Sequence, residues 1–265
     1  MASVVQIFLW AWIIKHSRVC SDSLPENTSK RFVIECLEEH NRVRSSVNPP
    51  ARDMLFMTWD EGLAITAAAW ARNCLFVHNV HLEDVRRVHP TFSSVGENLW
   101  AGSPASHFNV TRAIKGWVDE VHEYDFDQNR CSGVCGHYTQ VVWASSYKVG
   151  CAVQLCPNGV ERTSFASREG AIFVCNYATG GNFNGRKPYS PGSGCSGCIG
   201  TCVDNLCRSP DRDKQKSYGW TPDWDPALSK RGYVPGLIVR PLALVFTFIA
   251  AFAVHYFYPN VFFYD

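Results

Sequence analysis

The sequence predicts a mixed α+β domain followed by a cysteine-rich segment and an apolar C-terminal segment. Apolar residues recur at helical intervals in the first half of the chain, and runs rich in β-branched and aromatic residues follow from residue 138. Of the 265 residues, 46% are hydrophobic, which is enough for one large core. Helices that precede strands in this way are typical of an α+β arrangement, and the composition excludes a disordered or fibrous protein.

The N-terminal residues 1–21 are predicted to be a signal peptide. Residues 4–14 form an apolar stretch that is too short to cross a bilayer, since a crossing helix needs ~20 residues. Val19 and Ser21 supply the small residues that signal cleavage prefers, so we expect cleavage after Ser21. An uncleaved signal anchor is the alternative.

Three helices are expected before the strands. The first lies within residues 30–47, where apolar side chains recur near helical spacing until two prolines end the run. The second follows Asp60, whose side chain suits an N-cap, and it runs toward His78. The third covers residues 110–123, which repeat the helical pattern.

Strands are expected in residues 138–156 and 171–176, because β-branched and aromatic residues dominate both runs. From residue 178 onward glycine, asparagine, proline and serine prevail, which marks the exit from a domain. The domain itself is expected to cover residues 29–183, a length that supports a core of its own.

The segment 184–210 is expected to be a small module held together by disulfides. Four of its cysteines fall close together: Cys195, Cys198, Cys202 and Cys207. A zinc ribbon is the competing interpretation, but the segment has a single CxxC pair and the cysteine usage indicates an oxidising compartment. Residues 211–236 alternate charged residues with tryptophan and proline, and we expect them to form a solvated stalk.

The composition also indicates where the protein resides. Twelve cysteines are typical of a chain that passes through the secretory pathway, where disulfides persist. Asn27 and Asn109 each begin an N-x-S/T triplet and are candidate glycosylation sites. A net charge of +1 without long runs of like charge argues against nucleic acid as a partner. We therefore expect a protein of the cell surface or the extracellular space.

The C-terminal residues 237–258 are expected to attach the protein to a membrane. They are apolar apart from three residues, and their length matches a tilted membrane span. We expect a retained span. A glycosylphosphatidylinositol signal is the alternative, because basic residues precede the segment and none follow it, and because Ser229 or Gly232 offers a small attachment residue.

Four titratable residues lie among apolar neighbours and are candidates for a functional groove. They are His78 past the second helix, Glu97 in GENLW, Glu120 on the third helix and His137 in GHYTQ. Taken singly, each is more typical of a hydrogen-bonded structural residue or a solvated helix rim. Together, two imidazoles and two carboxylates match the ligand preferences of zinc, with His78 and His137 as the metal ligands.

Four longer motifs occur in order along the chain. They are HNRVR at 40–44, GENLW at 96–100, GHYTQVVW at 136–143 and VCNYATGGNF at 174–183. Through these motifs the sequence resembles the superfamily of cysteine-rich secretory proteins, antigen 5 and plant pathogenesis-related proteins. The resemblance covers about residues 29–183, and the cysteines at 195–207 resemble the hinge that follows this domain in animal members.

The resemblance implies a three-layer α-β-α sandwich whose central groove holds His78, Glu97, Glu120 and His137. It also implies three disulfides in the domain and pairing among the four hinge cysteines; the domain pairs are Cys74–Cys156, Cys131–Cys135 and Cys151–Cys175. Cys36 has no partner in this scheme. A buried thiol is the simpler interpretation of Cys36, and an intermolecular bridge is the alternative.

Two functions are open at this stage. The first, which family membership favours, is a non-enzymatic extracellular module whose groove binds zinc or a small apolar ligand such as a sterol and whose surface engages extracellular partners. The second is a zinc hydrolase in which Glu97 or Glu120 deprotonates a metal-bound water. The sequence lacks HExxH and a Gly-x-Ser-x-Gly element, which argues against the enzyme.

Overall fold

The structure is a computed structural model that describes residues 24–84 and 86–257. The predicted signal peptide lies outside the described residues. Helices and strands are each numbered in chain order. The helices are α1 Lys30–Arg44, α2 Glu61–Ala71, α3 Val110–Val118, α4 Gly136–Val141, α5 Pro210–Asp213 and α6 Pro226–Phe257. The strands are β1 Thr58–Trp59, β2 Gly96–Gly102, β3 Tyr124–Asp125, β4 Arg130–Cys131, β5 Lys148–Cys156, β6 Gly170–Ala178, β7 Thr201–Val203 and β8 Leu206–Arg208.

A four-stranded sheet in the order β1-β5-β6-β2 forms the centre of the domain. The strand β1 runs parallel to β5, and the other two pairings are antiparallel. Every residue of β6 is buried, because helices cover both faces of the sheet. In β5 and β6, Cys151 lies opposite Cys175, and the two form a disulfide.

The sheet separates two layers of helices. On one face Phe173 and Tyr177 pack in a core cluster with side chains of α1, α3 and α4. On the other face Ile172 and Val174 pack with side chains of α2. Alternate residues of β6 thus serve opposite layers, as strand geometry requires. The arrangement is the expected three-layer α-β-α sandwich.

Two of the three predicted helices differ from the structure in length. The first begins at the Ser29 N-cap, and the second begins as predicted at Asp60, whose carboxylate accepts a hydrogen bond from the Leu63 N–H at 3.1 Å. The second ends at Ala71 rather than continuing toward His78. The third ends at Val118 and continues as a 3-10 turn, so Glu120 lies on that turn and not on the helix.

The strand predicted from residue 138 is wrong over its first part. Residues 136–141 form the helix α4, and β5 begins only at Lys148. The β-branched and aromatic residues here pack inward from a helix, because the Glu120 carboxylate accepts hydrogen bonds from the N–H groups of His137 and Tyr138 at its first turn. A tertiary contact therefore overrides the local propensity.

Buried Arg44 joins α1 to the chain that follows α4. Its guanidinium is fully buried and donates hydrogen bonds of 2.6–3.2 Å to backbone carbonyls alone in the described contacts. The acceptors are the carbonyls of Leu55, Val141, Trp143, Ala144 and Ser146. Burial lowers the pKa of Arg44 to about 9. The side chain therefore fixes the loop that leads into β5.

The cysteine-rich module is attached to the domain by backbone hydrogen bonds. The strands β7 and β8 form a hairpin, and the disulfides Cys195–Cys202 and Cys198–Cys207 link the residues before the hairpin to its two strands. The Cys207 N–H donates to the Met54 carbonyl at 2.8 Å, and the Phe56 N–H donates to the Cys207 carbonyl at 3.0 Å. The sulfurs of Cys195, Cys198 and Cys207 lie within 4.8 Å of one another, but all three belong to disulfides.

The predicted stalk differs from expectation in its central part. Residues 217–225 pack on the domain instead of extending into solvent: Asp225 is buried and forms a 2.7 Å ion pair with Arg72 at the end of α2. Helix α6 follows directly and carries exposed apolar side chains, Phe246 and Phe248 among them. Against the expectation of a span at 237–258, no helix in the described part of the chain combines the length and hydropathy needed to cross a membrane.

Candidate functional site

The groove residues form two histidine–carboxylate pairs. In the first pair, His78 follows α2 and Glu97 lies on β2; the His78 Nδ1 is 3.0 Å from Glu97 Oε1. In the second pair, Glu120 lies on the 3-10 turn after α3 and His137 begins α4; the His137 Nδ1 is 2.5 Å from Glu120 Oε1. The structure thus brings all four predicted residues into contact, two by two.

Strand β2 connects the two pairs. Glu97 holds His78, and the next residue, Asn98, donates from Nδ2 to the His137 carbonyl at 3.0 Å. Successive residues of a strand point to opposite faces, so the two pairs approach β2 from opposite layers. Because β2 is at the edge of the sheet, segments from both layers reach it. Both pairs are therefore tied to this strand, the first through Glu97 and the second through Asn98.

Glu97 is a buried carboxylate with three donors. Its side chain has no exposed surface, and it accepts hydrogen bonds from the Asn79 N–H at 2.9 Å, His78 Nδ1 at 3.0 Å and Asn176 Nδ2 at 3.3 Å. The His78 imidazole is 60% exposed. The hydrogen bond and the charge of Glu97 raise the pKa of His78, against the opposing effect of burial. Glu97 thus favours the protonated form of His78 when no metal competes.

Both imidazoles contact a carboxylate through the same ring nitrogen, Nδ1. When Nδ1 carries the proton and donates it to a carboxylate, Nε2 keeps its lone pair and is the atom that can bind a metal. This carboxylate–histidine arrangement is the one that orients zinc-binding histidines in proteins. Each histidine thus has the carboxylate contact that supports zinc-binding histidines, from Glu97 at His78 and from Glu120 at His137.

The carboxylates do not add to the metal ligands in this arrangement. In residues 24–84 and 86–257, the groove holds no set of three His, Cys, Asp or Glu ligand atoms within 4.8 Å of one another. Each groove carboxylate is already occupied with an imidazole Nδ1 and backbone N–H groups. A zinc ion here would take two protein ligands and complete its shell with water or with a ligand from a partner.

Several residues that support the groove were not singled out from the sequence. The Trp117 ring stacks on His137, with the ring centres 6.2 Å apart and the planes 13° from parallel. Behind it, Asn98 Nδ2 donates to the Tyr177 hydroxyl at 3.3 Å, and that hydroxyl lies 2.9 Å from Nε2 of buried His40. These contacts join residues far apart in the chain, and except for Trp117 the residues lie within the four quoted motifs.

Two buried polar atoms beside Glu97 lack a hydrogen-bond partner in the described structure: Asn79 Nδ2 and Asn176 Oδ1. Two apolar side chains, Val77 and Val80, are exposed beside His78. A separate cavity of about 690 Å³ lies between the domain and the cysteine-rich module, and no groove residue lines it.

The two candidate glycosylation sites have different surroundings. The Asn27 side chain forms two hydrogen bonds with the backbone of Val153 in β5, accepting from the N–H at 2.8 Å and donating from Nδ2 to the carbonyl at 3.1 Å. Asn109 is exposed, and its Oδ1 accepts from the Arg112 N–H as the N-cap of α3. The nitrogen that would carry a glycan is thus engaged at Asn27.

Comparison with known proteins places these features in a family. The model of the CAP family, described as cysteine-rich secretory protein family, matches residues 37–177. The chain is 48% identical over 222 residues to GLIPR1-like protein 1 of Bos taurus, covering 82% of this chain and 88% of that one. It is 42% identical over 266 residues to glioma pathogenesis-related protein 1 of Mus musculus, covering 98% of each.

A solved structure with a related sequence has the same fold. The crystal structure of NaASP2 with Zn2+ matches with a TM-score of 0.53 and 27% identity, and the match covers 70% of this chain and 100% of that one. The domain pairs Cys74–Cys156, Cys131–Cys135 and Cys151–Cys175 are the ones that the resemblance implies, and Cys36 is a buried free thiol.

Proposed function

The chain belongs to the cysteine-rich secretory protein (CAP) family, and from this premise we propose that it is a non-enzymatic extracellular module whose groove binds zinc through His78 and His137. One observation carries the proposal: a carboxylate accepts a hydrogen bond from Nδ1 of each imidazole and leaves Nε2 free for a metal. Bound zinc would supply a positive charge and a Lewis acid at the groove.

The protein's own residues prepare the groove for this ion. Glu97 and Glu120 hold the imidazoles in one tautomer and orientation, and their negative charges compensate part of the charge of the ion. Stacking on Trp117 restricts rotation of His137. The apolar side chains of Val77 and Val80 are exposed beside His78. We propose that a small apolar ligand or an extracellular protein contacts the groove at these two side chains.

The hydrolase alternative has less support from the geometry. A general base must accept a proton from the metal-bound water, but both groove carboxylates already hold an imidazole and backbone N–H groups. Glu97 would have to release His78 before it took up a proton. In a binding role the carboxylates keep their hydrogen bonds to the imidazoles, so neither histidine has to be released.

Metal analysis of the full chain tests the proposal. We expect about one zinc per chain in the wild-type protein and loss of this zinc in the His78→Ala, His137→Ala double variant. The matched control is the His107→Ala, His255→Ala double variant, because both of these histidines are exposed and lie outside the groove. Retention of stoichiometric zinc by the groove variant would sink the assignment, and zinc-dependent cleavage of a generic peptide substrate would favour the hydrolase.

An extracellular location is part of the proposal. The described residues contain five disulfides, which persist in oxidising compartments and are rare in the cytosol. A lipid anchor that replaces the chain after Ser229 or Gly232 would attach the domain to a membrane without a crossing helix. Phosphatidylinositol-specific phospholipase C should then release the protein from intact cells. A membrane-bound peptide that contains Phe262 would contradict the lipid anchor.

A further inference from the structure

A short segment near the C-terminus covers one side of the domain, and we call residues 217–225 the strap. It lies on α2 and on the loop 79–92, which follows His78. Tyr218 donates a hydrogen bond to Asp60 Oδ2 at 3.0 Å, and Asp225 pairs with Arg72 at 2.7 Å. These two contacts bind the strap to both ends of α2, because Asp60 and Arg72 are the N-cap and C-cap of that helix.

Trp224 is the strap residue that contacts the loop most extensively. Its ring stacks on His81, with the centres 5.1 Å apart and the planes 22° from parallel, and meets Trp70 of α2 edge-on at 6.2 Å. Its Nε1 donates to the Arg87 carbonyl at 2.8 Å. Arg87 also pairs with Asp223 of the strap at 3.1 Å. The strap therefore holds the loop by a stacked ring, a hydrogen bond and an ion pair.

A continuous set of contacts leads from this ring to the groove. The His81 ring lies on Trp224, and the His81 N–H donates to Asn79 Oδ1 at 2.9 Å. The Asn79 N–H in turn donates to Glu97 Oε1 at 2.9 Å, the oxygen that accepts from His78 Nδ1. Only three contacts separate Trp224 from the carboxylate that orients His78.

The strap contacts add to a small number of others that hold the loop. The described loop residues, 79–84 and 86–92, form turns and bends without helix or strand, so few regular backbone hydrogen bonds hold them. The His89 end is held separately, since His89 Nε2 lies 2.9 Å from Asp60 Oδ1. Trp224 packs against the core cluster that contains Trp70 and against the cluster of Leu63, Val88 and Val95. Removing the ring would therefore loosen the part of the loop around His81 and Arg87, next to Asn79.

We propose that Trp224 is a positioning residue for the groove, which holds Asn79 and the Glu97–His78 pair in place through His81. The effect of Trp224 on zinc binding rests on the proposed zinc function. The effect of Trp224 on the loop does not depend on zinc. The sequence pattern alone had assigned Trp224 to a solvated stalk, so the strap gives this part of the chain a role in the site.

Two full-chain variants and one control test the proposal. Trp224→Ala should raise amide hydrogen exchange in residues 79–87 by ~10-fold or more and weaken zinc binding by ~10-fold. Trp224→Phe, which keeps a ring for His81, should give smaller changes in both and serves as the test if the alanine variant fails to fold. The control is Trp59→Ala, a half-buried tryptophan of β1 that packs against Phe32.

The outcomes separate the two proposals. Unchanged exchange in residues 79–87 of the Trp224 variants, or an equal increase in Trp59→Ala, would overturn the positioning role. If the wild-type chain binds no zinc, the zinc proposal fails, and the exchange measurement still decides whether Trp224 holds the loop. Faster exchange with unchanged zinc affinity would also overturn the proposal, because the loop would then move without affecting His78.

Discussion

Glu120 contacts His137 at two points: its Oε1 lies 2.5 Å from the imidazole Nδ1, and its Oε2 accepts from the His137 backbone N–H at 2.9 Å. The carboxylate therefore caps α4 and selects the tautomer of the histidine that begins it. A single side chain thereby links the local structure to the metal-binding capacity of the groove.

Replacing Glu120 with glutamine should weaken zinc binding by ~10-fold to ~100-fold, the usual effect of losing a supporting carboxylate. The amide can donate to Nδ1 and so favour the tautomer with a protonated Nε2, which cannot bind a metal. Competition with a chelator of known affinity measures the change. Glu123→Gln, on the same 3-10 turn, is the control and should leave the affinity unchanged.

Zinc binding should weaken as the pH falls, because protons compete with zinc for the imidazoles. The hydrogen bond that His78 donates to Glu97 and the charge of Glu97 raise the pKa of His78 above its ordinary value of 6.5, so at this residue the competition begins at a higher pH than at a free imidazole. Isothermal titration between pH 5.5 and 8 measures the profile. A zinc affinity that stays constant across this range would contradict binding by the imidazoles.

The free energy of unfolding should fall between pH 6.5 and pH 4 because of His40. Burial lowers the pKa of His40 to about 4, so in this range the unfolded chain takes up a proton that the folded chain refuses. The contribution is present in full above pH 6.5, and its loss amounts to about 3 kcal/mol near pH 4. Urea unfolding of wild-type and His40→Gln proteins measures it. Equal pH slopes in the two proteins would contradict the assignment.

Arg44→Ala should destabilise the fold by about 3 kcal/mol or more, because buried carbonyls lose their donor. Arg42→Ala is the neighbouring control: its exposed pair with Glu39 contributes at most about 1 kcal/mol. Chemical denaturation of the oxidised proteins gives both values. A loss at Arg44 no larger than that at Arg42 would mean that water replaces the guanidinium at those carbonyls.

Glycan should be found on Asn109 and not on Asn27. Asn109 is exposed and its side-chain oxygen makes the capping contact with the Arg112 N–H, whereas the side-chain nitrogen of Asn27 donates to the Val153 carbonyl. Enzymatic deglycosylation in heavy-oxygen water followed by peptide mass spectrometry identifies the occupied asparagine. A glycan on Asn27 would require the hydrogen bond between the Asn27 side-chain nitrogen and the Val153 carbonyl to break.

The sequence determined the family and the positions of α1, α2 and α3, and it singled out the four residues that the structure joins in two pairs. It did not predict the strand β2 at Gly96–Gly102. Motifs such as GENLW and GHYTQ carry residue types at fixed spacing, and helical periodicity located α1 and the start of α2. These signals are local, so they can be read from neighbouring residues. They failed at residues 136–141, where capping by Glu120 from another segment produces a helix in a sequence of strand-like composition.

Only the tertiary structure decided which atoms meet. His78 pairs with Glu97 of the edge strand β2, and His137 pairs with Glu120 of the turn after α3, and no sequence spacing encodes either contact. The same holds for Trp224, whose stalk-like neighbours predicted exposure. Its ring instead stacks on His81, which is far away in the chain. Burial of a large aromatic surface lowers the free energy of the folded state, and only the fold brings the complementary surface to it.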